Sequence, residues 1–221
     1  MGQTINLTAS DGFTLSAYRA DPAGTPKGGI VVIQEIFGLN GHVRDVCDRF
    51  AAQGYVAIAP ALFDRLKPGI ELGYDEAGLK EGFGYMQQVG NDTPILDIQA
   101  AADELKKTGK VGAVGFCWGG ALAWQTSKRV DVDCAVGYYG VALDKALQPP
   151  PKCPVMLHFA SLDHFMPKAD AEKVAEAYPD LPIYFYEADH GFNCDVRASY
   201  DEASAKQAME RTLQFFAENV G

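Results

Sequence analysis

Val111-Gly112-Ala113-Val114-Gly115-Phe116-Cys117-Trp118-Gly119-Gly120, residues 111–120, is the stretch whose reading decides the fold. Residues 111–116 form a nearly continuous apolar run, the pattern of a strand covered on both faces, and Ala121–Lys128 continues with helical periodicity. A residue held on a tight strand-to-helix turn has a crowded backbone, and glycines two positions to either side relieve that crowding. The turn lifts the side chain of Cys117 above the carboxyl end of the strand and aims the Trp118 N–H at the space where an oxyanion would form. The helix N-terminus that follows favours a thiolate over a thiol. Taken alone the string is also what a buried cysteine at any glycine-rich strand end would show, so the rest of the chain has to decide.

Outward from this turn the sequence alternates short β-like runs with helical patterns, as βαβ units around a mainly parallel sheet do. The expected strands are Thr14–Ala20, Gly29–Gln34, Tyr55–Ala59, Val111–Phe116, Asp133–Tyr139, Val155–Phe159 and Ile183–Glu187. Thr93 followed by Pro94 reads as an N-cap and first helical residue, with Gly109 as the stop. Ile95, Ile98, Ala102 and Leu105 fall on one face of that helix. Ser199 and Glu202 stand at capping-box spacing before a last helix whose Met209, Leu213, Phe216 and Val220 recur at helical intervals. Lys67–Gly90 is rich in glycine and weakly periodic, and reads as a helix and loop crossing the top of the sheet. The expected architecture is one α/β domain over residues 1–221, with helices on both faces of its sheet.

Two more residues stand at strand ends. Asp163 follows Val155–Phe159, and His190 follows Ile183–Glu187. The chain order is nucleophile, acid, base, which is the order of α/β-hydrolase triads: thiol attacks, imidazole moves the proton, carboxylate orients the imidazole. Asp189 is a rival acid, directed elsewhere if the strand ends at Ala188. His158 lies inside an apolar strand and reads as a satisfied core residue, while His42 and His164 read as solvated. Glu35 ends the strand that starts at Gly29. A carboxylate there is costly without a partner, so Glu35 is either functional or one half of a buried ion pair with Arg44 or another arginine. The N–H of Ile36 sits where the second oxyanion-hole donor of this fold normally comes from.

Composition excludes several classes. The chain carries 19 Lys and Arg against 29 Asp and Glu, a formal net charge of −10, which argues against a nucleic acid or an anionic membrane as partner. No apolar run approaches the ~18 residues of a membrane span. Met1–Ser10 is polar with no leader pattern, and the five cysteines, odd in number and without paired spacing, suit free thiols in a reducing compartment, so a cytoplasmic protein is expected. The four histidines are scattered, no metal-ligand spacing occurs and no Gly-x-Gly-x-x-Gly turn follows a strand, so neither metal nor organic cofactor is expected.

Glu35-Ile36-Phe37-Gly38, Gly115-Phe116-Cys117-Trp118-Gly119-Gly120, Val136-Gly137-Tyr138-Tyr139-Gly140 and His190-Gly191-Phe192 together resemble the dienelactone hydrolases, or carboxymethylenebutenolidases, over nearly the whole chain from Ile5 to Phe216. The resemblance implies an α/β-hydrolase fold with Cys117, Asp163 and His190 as triad. It implies that Glu35 takes the thiol proton when substrate arrives, and that Phe37, Tyr138 and Tyr139 lie near the substrate. It implies hydrolysis of a lactone or activated ester through an acyl-thioester on Cys117. One departure stands out: where the family carries an arginine four residues after the histidine, this chain has Cys194. Lys80 and Arg197 are the candidate replacement cations for a substrate carboxylate, and without one of them neutral esters or lactones should be accepted at least as well. A carboxylesterase of another substrate class, or a redox-sensing thiol on a hydrolase scaffold with Cys194 as resolving cysteine, are the alternatives. The expected partner is the small-molecule substrate alone, on a monomer or weak homodimer.

Overall fold

In the computed structural model, which describes residues 2–221, the apolar runs become a sheet of eight strands. In chain order the elements are β1 (Gln3–Thr8), β2 (Thr14–Ala20), β3 (Gly29–Ile33), α1 (Gly41–Ala52), β4 (Val56–Pro60), α2 (Glu76–Val89) and α3 (Thr93–Leu105). Then follow β5 (Val111–Phe116), α4 (Trp118–Arg129), β6 (Cys134–Tyr138), β7 (Val155–Ala160), α5 (Lys168–Ala177), β8 (Ile183–Tyr186) and α6 (Glu202–Asn219). The spatial order is β1-β2-β4-β3-β5-β6-β7-β8, antiparallel for the first two pairings and parallel from β4 to β8. The α/β-hydrolase fold expected from the sequence is the fold observed.

Side-chain alternation divides the core. Val31 and Ile33 of β3 face a layer with Leu105, Trp118 and Leu122, while Ile30 and Val32 face Val46, Phe50, Tyr55 and Phe216 on the other side. Both faces are therefore covered, which is why the central strands are apolar throughout. The order also creates the crevice that matters. β3 and β5 are hydrogen-bonded neighbours whose connections leave for opposite sides of the sheet, and ligands of open α/β sheets bind outside the strand ends at such a switch point. The loops carrying Glu35 and Cys117 leave from those two ends.

Several local expectations are corrected. β1 was not anticipated, because its apolar alternation is only two residues long, Ile5 and Leu7, and on this edge strand only Leu7 is buried. The last helix is capped by Asp201, whose carboxylate accepts from the Ser204 N–H at 2.8 Å, and not by Ser199, whose hydroxyl is buried without a partner among the described residues. Thr93 lies inside its helix, its hydroxyl donating to Val89 O at 3.0 Å. His42 is buried, with Nδ1 3.2 Å from Asp195, whereas His164 is exposed as expected. His158 is a satisfied core residue, 2.8 Å from the Tyr186 hydroxyl and 3.1 Å from that of Thr212. Among the described residues no helix is long and apolar enough to cross a membrane.

Candidate active site

The cysteine turn is built by steric necessity. Cys117 sits at φ 57° and ψ −119°, a strained conformation for a residue with a Cβ, and its N–H donates to Tyr138 O at 3.0 Å. A Cβ on Gly115 would lie 1.9 Å from Gly119 O, and one on Gly119 would lie 2.4 Å from the carbonyl oxygens of both Ile33 and Gln34. The two glycines thus let the start of α4 press against the end of β3, which brings the loop that follows Cys117 beside the loop that follows β3. The amides of Ile36 and Trp118 give their N–H to no acceptor among the described residues, so both remain available to a ligand oxygen.

Asp163 and His190 meet from adjacent strand ends. Asp163 Oδ2 lies 2.7 Å from His190 Nδ1, and its Oδ1 accepts the N–H groups of Phe165 at 2.7 Å and Met166 at 3.1 Å. Both oxygens are fixed, so the imidazole is fixed. Asp189, the rival acid, is exposed and accepts only the backbone N–H of His190, at 2.6 Å, beside a 3.8 Å approach to His164. With Nδ1 on Asp163, Nε2 is left free for the cavity that Cys117 also lines. Burial pushes the imidazole down, but Cys117 and then Asp163 push it further up, to about 10, the part owed to Cys117 acting once its thiol has given up the proton. The imidazolium is therefore favoured across neutral pH, and the titration belongs to the pair. A test follows: followed by NMR, His190 should titrate well above an ordinary histidine, and Cys117→Ala should bring that value down. An unchanged value in the variant would mean that Asp163 alone sets it.

Glu35 resolves as an ion pair, but with a partner that itself faces the site. Its Oε1 lies 3.3 Å from Arg197 Nη1, and its Oε2 is buried with no partner among the described residues. Arg44, the other candidate, pairs with Glu71 at the surface. Burial works against the charge of Arg197, but Glu35, with smaller contributions from Tyr139, Cys117 and Cys194, more than offsets it, so the guanidinium is held more basic than usual. Arg197 reaches this position because Gly191, at φ +83°, has no side chain: a Cβ there would lie 2.5 Å from Arg197 Nη1. Its other face lies 5.7 Å from the Phe37 ring centroid and 5.8 Å from that of Tyr74. Cys194 is buried beneath this pair, its thiol pushed up to about 12 by burial and then by the charge of Glu35, so it stays a neutral thiol.

Cys117, His190 and Arg197 line one cavity of about 190 Å³ with Ile36, Phe37, Leu79, Phe83, Met86, Trp118, Val141 and Phe165. That is smaller than the roughly 300–1,000 Å³ of pockets for drug-sized ligands, and suits a small substrate. Lys80 is not brought in: α2 turns Leu79, Phe83 and Met86 to the cavity and leaves the intervening Lys80 exposed. Tyr138 and Tyr139 stand one layer behind the lining. The Tyr138 hydroxyl is 2.6 Å from Thr212, and the Tyr139 ring meets His190 edge-on at 5.1 Å between centroids. The residues not anticipated are the apolar wall from α2, together with Val141 and Phe165; the spacing of Leu79, Phe83 and Met86 at i, i+4 and i+7 was the available signal.

The profile of the dienelactone hydrolase family matches residues 15–220. A carboxymethylenebutenolidase of Pseudomonas putida is 36% identical over 224 residues, covering 96% of this chain and 95% of its own. A second, from Pseudomonas sp. strain P51, is 31% identical, covering 95% and 92%. Among solved structures, a Klebsiella pneumoniae protein assigned to the dienelactone hydrolases superimposes with a TM-score of 0.84 at 31% identity, covering 99% of each chain. A Pyrococcus furiosus esterase shares the fold at a TM-score of 0.70 and 17% identity, covering 100% of this chain and 94% of its own.

Proposed function

Because this chain belongs to the dienelactone hydrolase family and is a carboxylic ester hydrolase of that type, we propose that it opens small carboxylate-bearing lactones through an acyl-thioester on Cys117. The observation that carries the reading is the cavity: one nucleophile, one imidazole and, among its lining residues, one cation, Arg197, in otherwise apolar walls. A buried guanidinium holds a carboxylate by two parallel hydrogen bonds, and apolar walls strengthen that contact. Arg197 then supplies from the next turn the cation that Cys194 lacks, which is the condition under which the free acid is preferred over neutral esters.

The chemistry follows from the groups present. A substrate carboxylate on Arg197 competes with Glu35, whose oxygens are then free to take the Cys117 proton. The thiolate attacks the acyl carbon, and the C–S bond forms as the carbonyl electrons move to oxygen, held by the Ile36 and Trp118 N–H groups. Collapse breaks the C–O bond, and the leaving oxygen takes the proton of the His190 imidazolium. Water then attacks the thioester, giving a proton to His190. The C–S bond breaks, the acid is released, and Cys117 recovers its proton from Glu35. The net change is one water added across one ester bond.

Steady-state turnover of a dienelactone, its methyl ester and a simple aryl ester, with Cys117→Ala as blank, tests the assignment. The free acid should be preferred in kcat/KM by roughly tenfold or more, given the usual worth of a charged hydrogen bond. Equal or better turnover of the neutral esters would overturn the carboxylate reading.

A further inference from the structure

The wall that α2 contributes touches the catalytic loop at one point only a glycine permits. A Cβ on Gly82 would lie 2.2 Å from the carbonyl oxygen of Ile36 and 3.1 Å from its carbonyl carbon. These are backbone atoms, which cannot swing aside. The neighbouring carbonyls of the same loop are held by hydrogen bonds: Gln34 Nε2 donates to Glu35 O at 3.2 Å, and Leu72 N to Phe37 O at 2.9 Å. The carbonyl of Ile36 accepts no N–H among the described residues; what it meets is the backbone of Gly82. Such a contact between a carbonyl and a glycine Cα is weakly attractive and strictly limited in distance.

We propose that Gly82 is a positioning residue for the oxyanion hole: α2, seated on the Ile36 carbonyl, holds the Ile36 peptides so that their N–H keeps its aim. The inference rests on the reading of Ile36 N–H as an oxyanion donor. It assigns α2 two tasks, since Leu79 and Phe83, on either side of Gly82, wall the cavity while the glycine sets the loop. The internal control is Gly84, in the same helix, where an added Cβ meets nothing within 4 Å. A methyl group at either position suits the helix itself, since alanine is the better helix former. Only at Gly82 does it press on the loop.

The test compares Gly82→Ala with Gly84→Ala by kcat, KM and the rate at which iodoacetamide alkylates Cys117. Alkylation reports the thiolate and the access to it, but develops no oxyanion. Gly82→Ala should lower kcat by about ten- to a hundredfold, less than the roughly 10²–10³ lost when an oxyanion donor is removed outright, with KM and alkylation near wild type. Gly84→Ala should leave all three unchanged. Should Gly82→Ala fail to fold, Asp75→Ala takes its place. Asp75 caps α2 by accepting the Gly78 N–H at 2.8 Å, and its loss should loosen the seat and lower kcat without slowing alkylation. Wild-type kcat in Gly82→Ala, an equal loss in Gly84→Ala, alkylation slowed in step with kcat, or, in the fallback, an unaltered Asp75→Ala would overturn the proposal. Cys117→Ala separates the two levels: if it stays active, the site reading itself fails, whereas an inactive Cys117→Ala beside a normal Gly82→Ala removes the positioning role alone.

Discussion

Cys117→Ala should lose ester and lactone turnover by on the order of 10³-fold or more, because removing the nucleophile of a triad leaves only binding and the oxyanion donors. The fold should persist. Cys117 is half-buried at a strand end, its strained φ of 57° is set by packing of the turn, and alanine would occupy the same backbone. Circular dichroism and Tm should therefore match wild type while kcat collapses. Residual activity of more than a few per cent would remove Cys117 from the reaction. His190 and Asp163 variants should be impaired unequally, with the imidazole mattering more, since it moves the proton and the carboxylate only orients it.

The second large effect is expected at Arg197. In Arg197→Met the two hydrogen bonds to a substrate carboxylate disappear, and a desolvated charged contact of this kind is worth about 2–5 kcal/mol, or a factor of tens to thousands. That loss should appear in kcat/KM for the free-acid dienelactone and be nearly absent for its methyl ester. The same substitution leaves Glu35 buried and unpaired, so Tm should fall as well; breaking a buried pair commonly costs about 3–5 kcal/mol. The two effects are separable. Adding Glu35→Gln to Arg197→Met removes the unpaired charge and should restore much of the stability, while turnover stays low because Glu35 is the group that takes the Cys117 proton. If the single variant keeps that preference, another group holds the carboxylate.

What was legible in the sequence is what local sterics and order along the chain dictate. Gly115 and Gly119 are required by contacts inside their own turn, so Cys117 announced itself, and Asp163 and His190 followed because successive strand ends of a parallel sheet lie side by side. Glu35 was legible as a carboxylate needing a partner, but the partner was not. Arg197 returns to the site through consecutive tight turns, with Cys194 N–H on Gly191 O at 2.9 Å and Arg197 N–H on Cys194 O at 3.0 Å, and residue spacing carries no trace of that path. Lys80 was misjudged because the phase of α2 was obscured by its glycines at 78, 82 and 84, two of which serve close backbone contacts and not solvent. Tyr138 and Tyr139 belong to the layer that supports His190 and the end of β6, a distinction between lining and support that burial reveals and sequence does not.

The most direct test of the central claim is to quench turnover of a slowly hydrolysed ester in acid and weigh the protein and its proteolytic peptides. The account expects an added mass equal to the acyl group on the peptide that contains Cys117, removed by hydroxylamine and missing from Cys117→Ala. Rapid turnover with no adduct at Cys117, or the same adduct in the alanine variant, would contradict it.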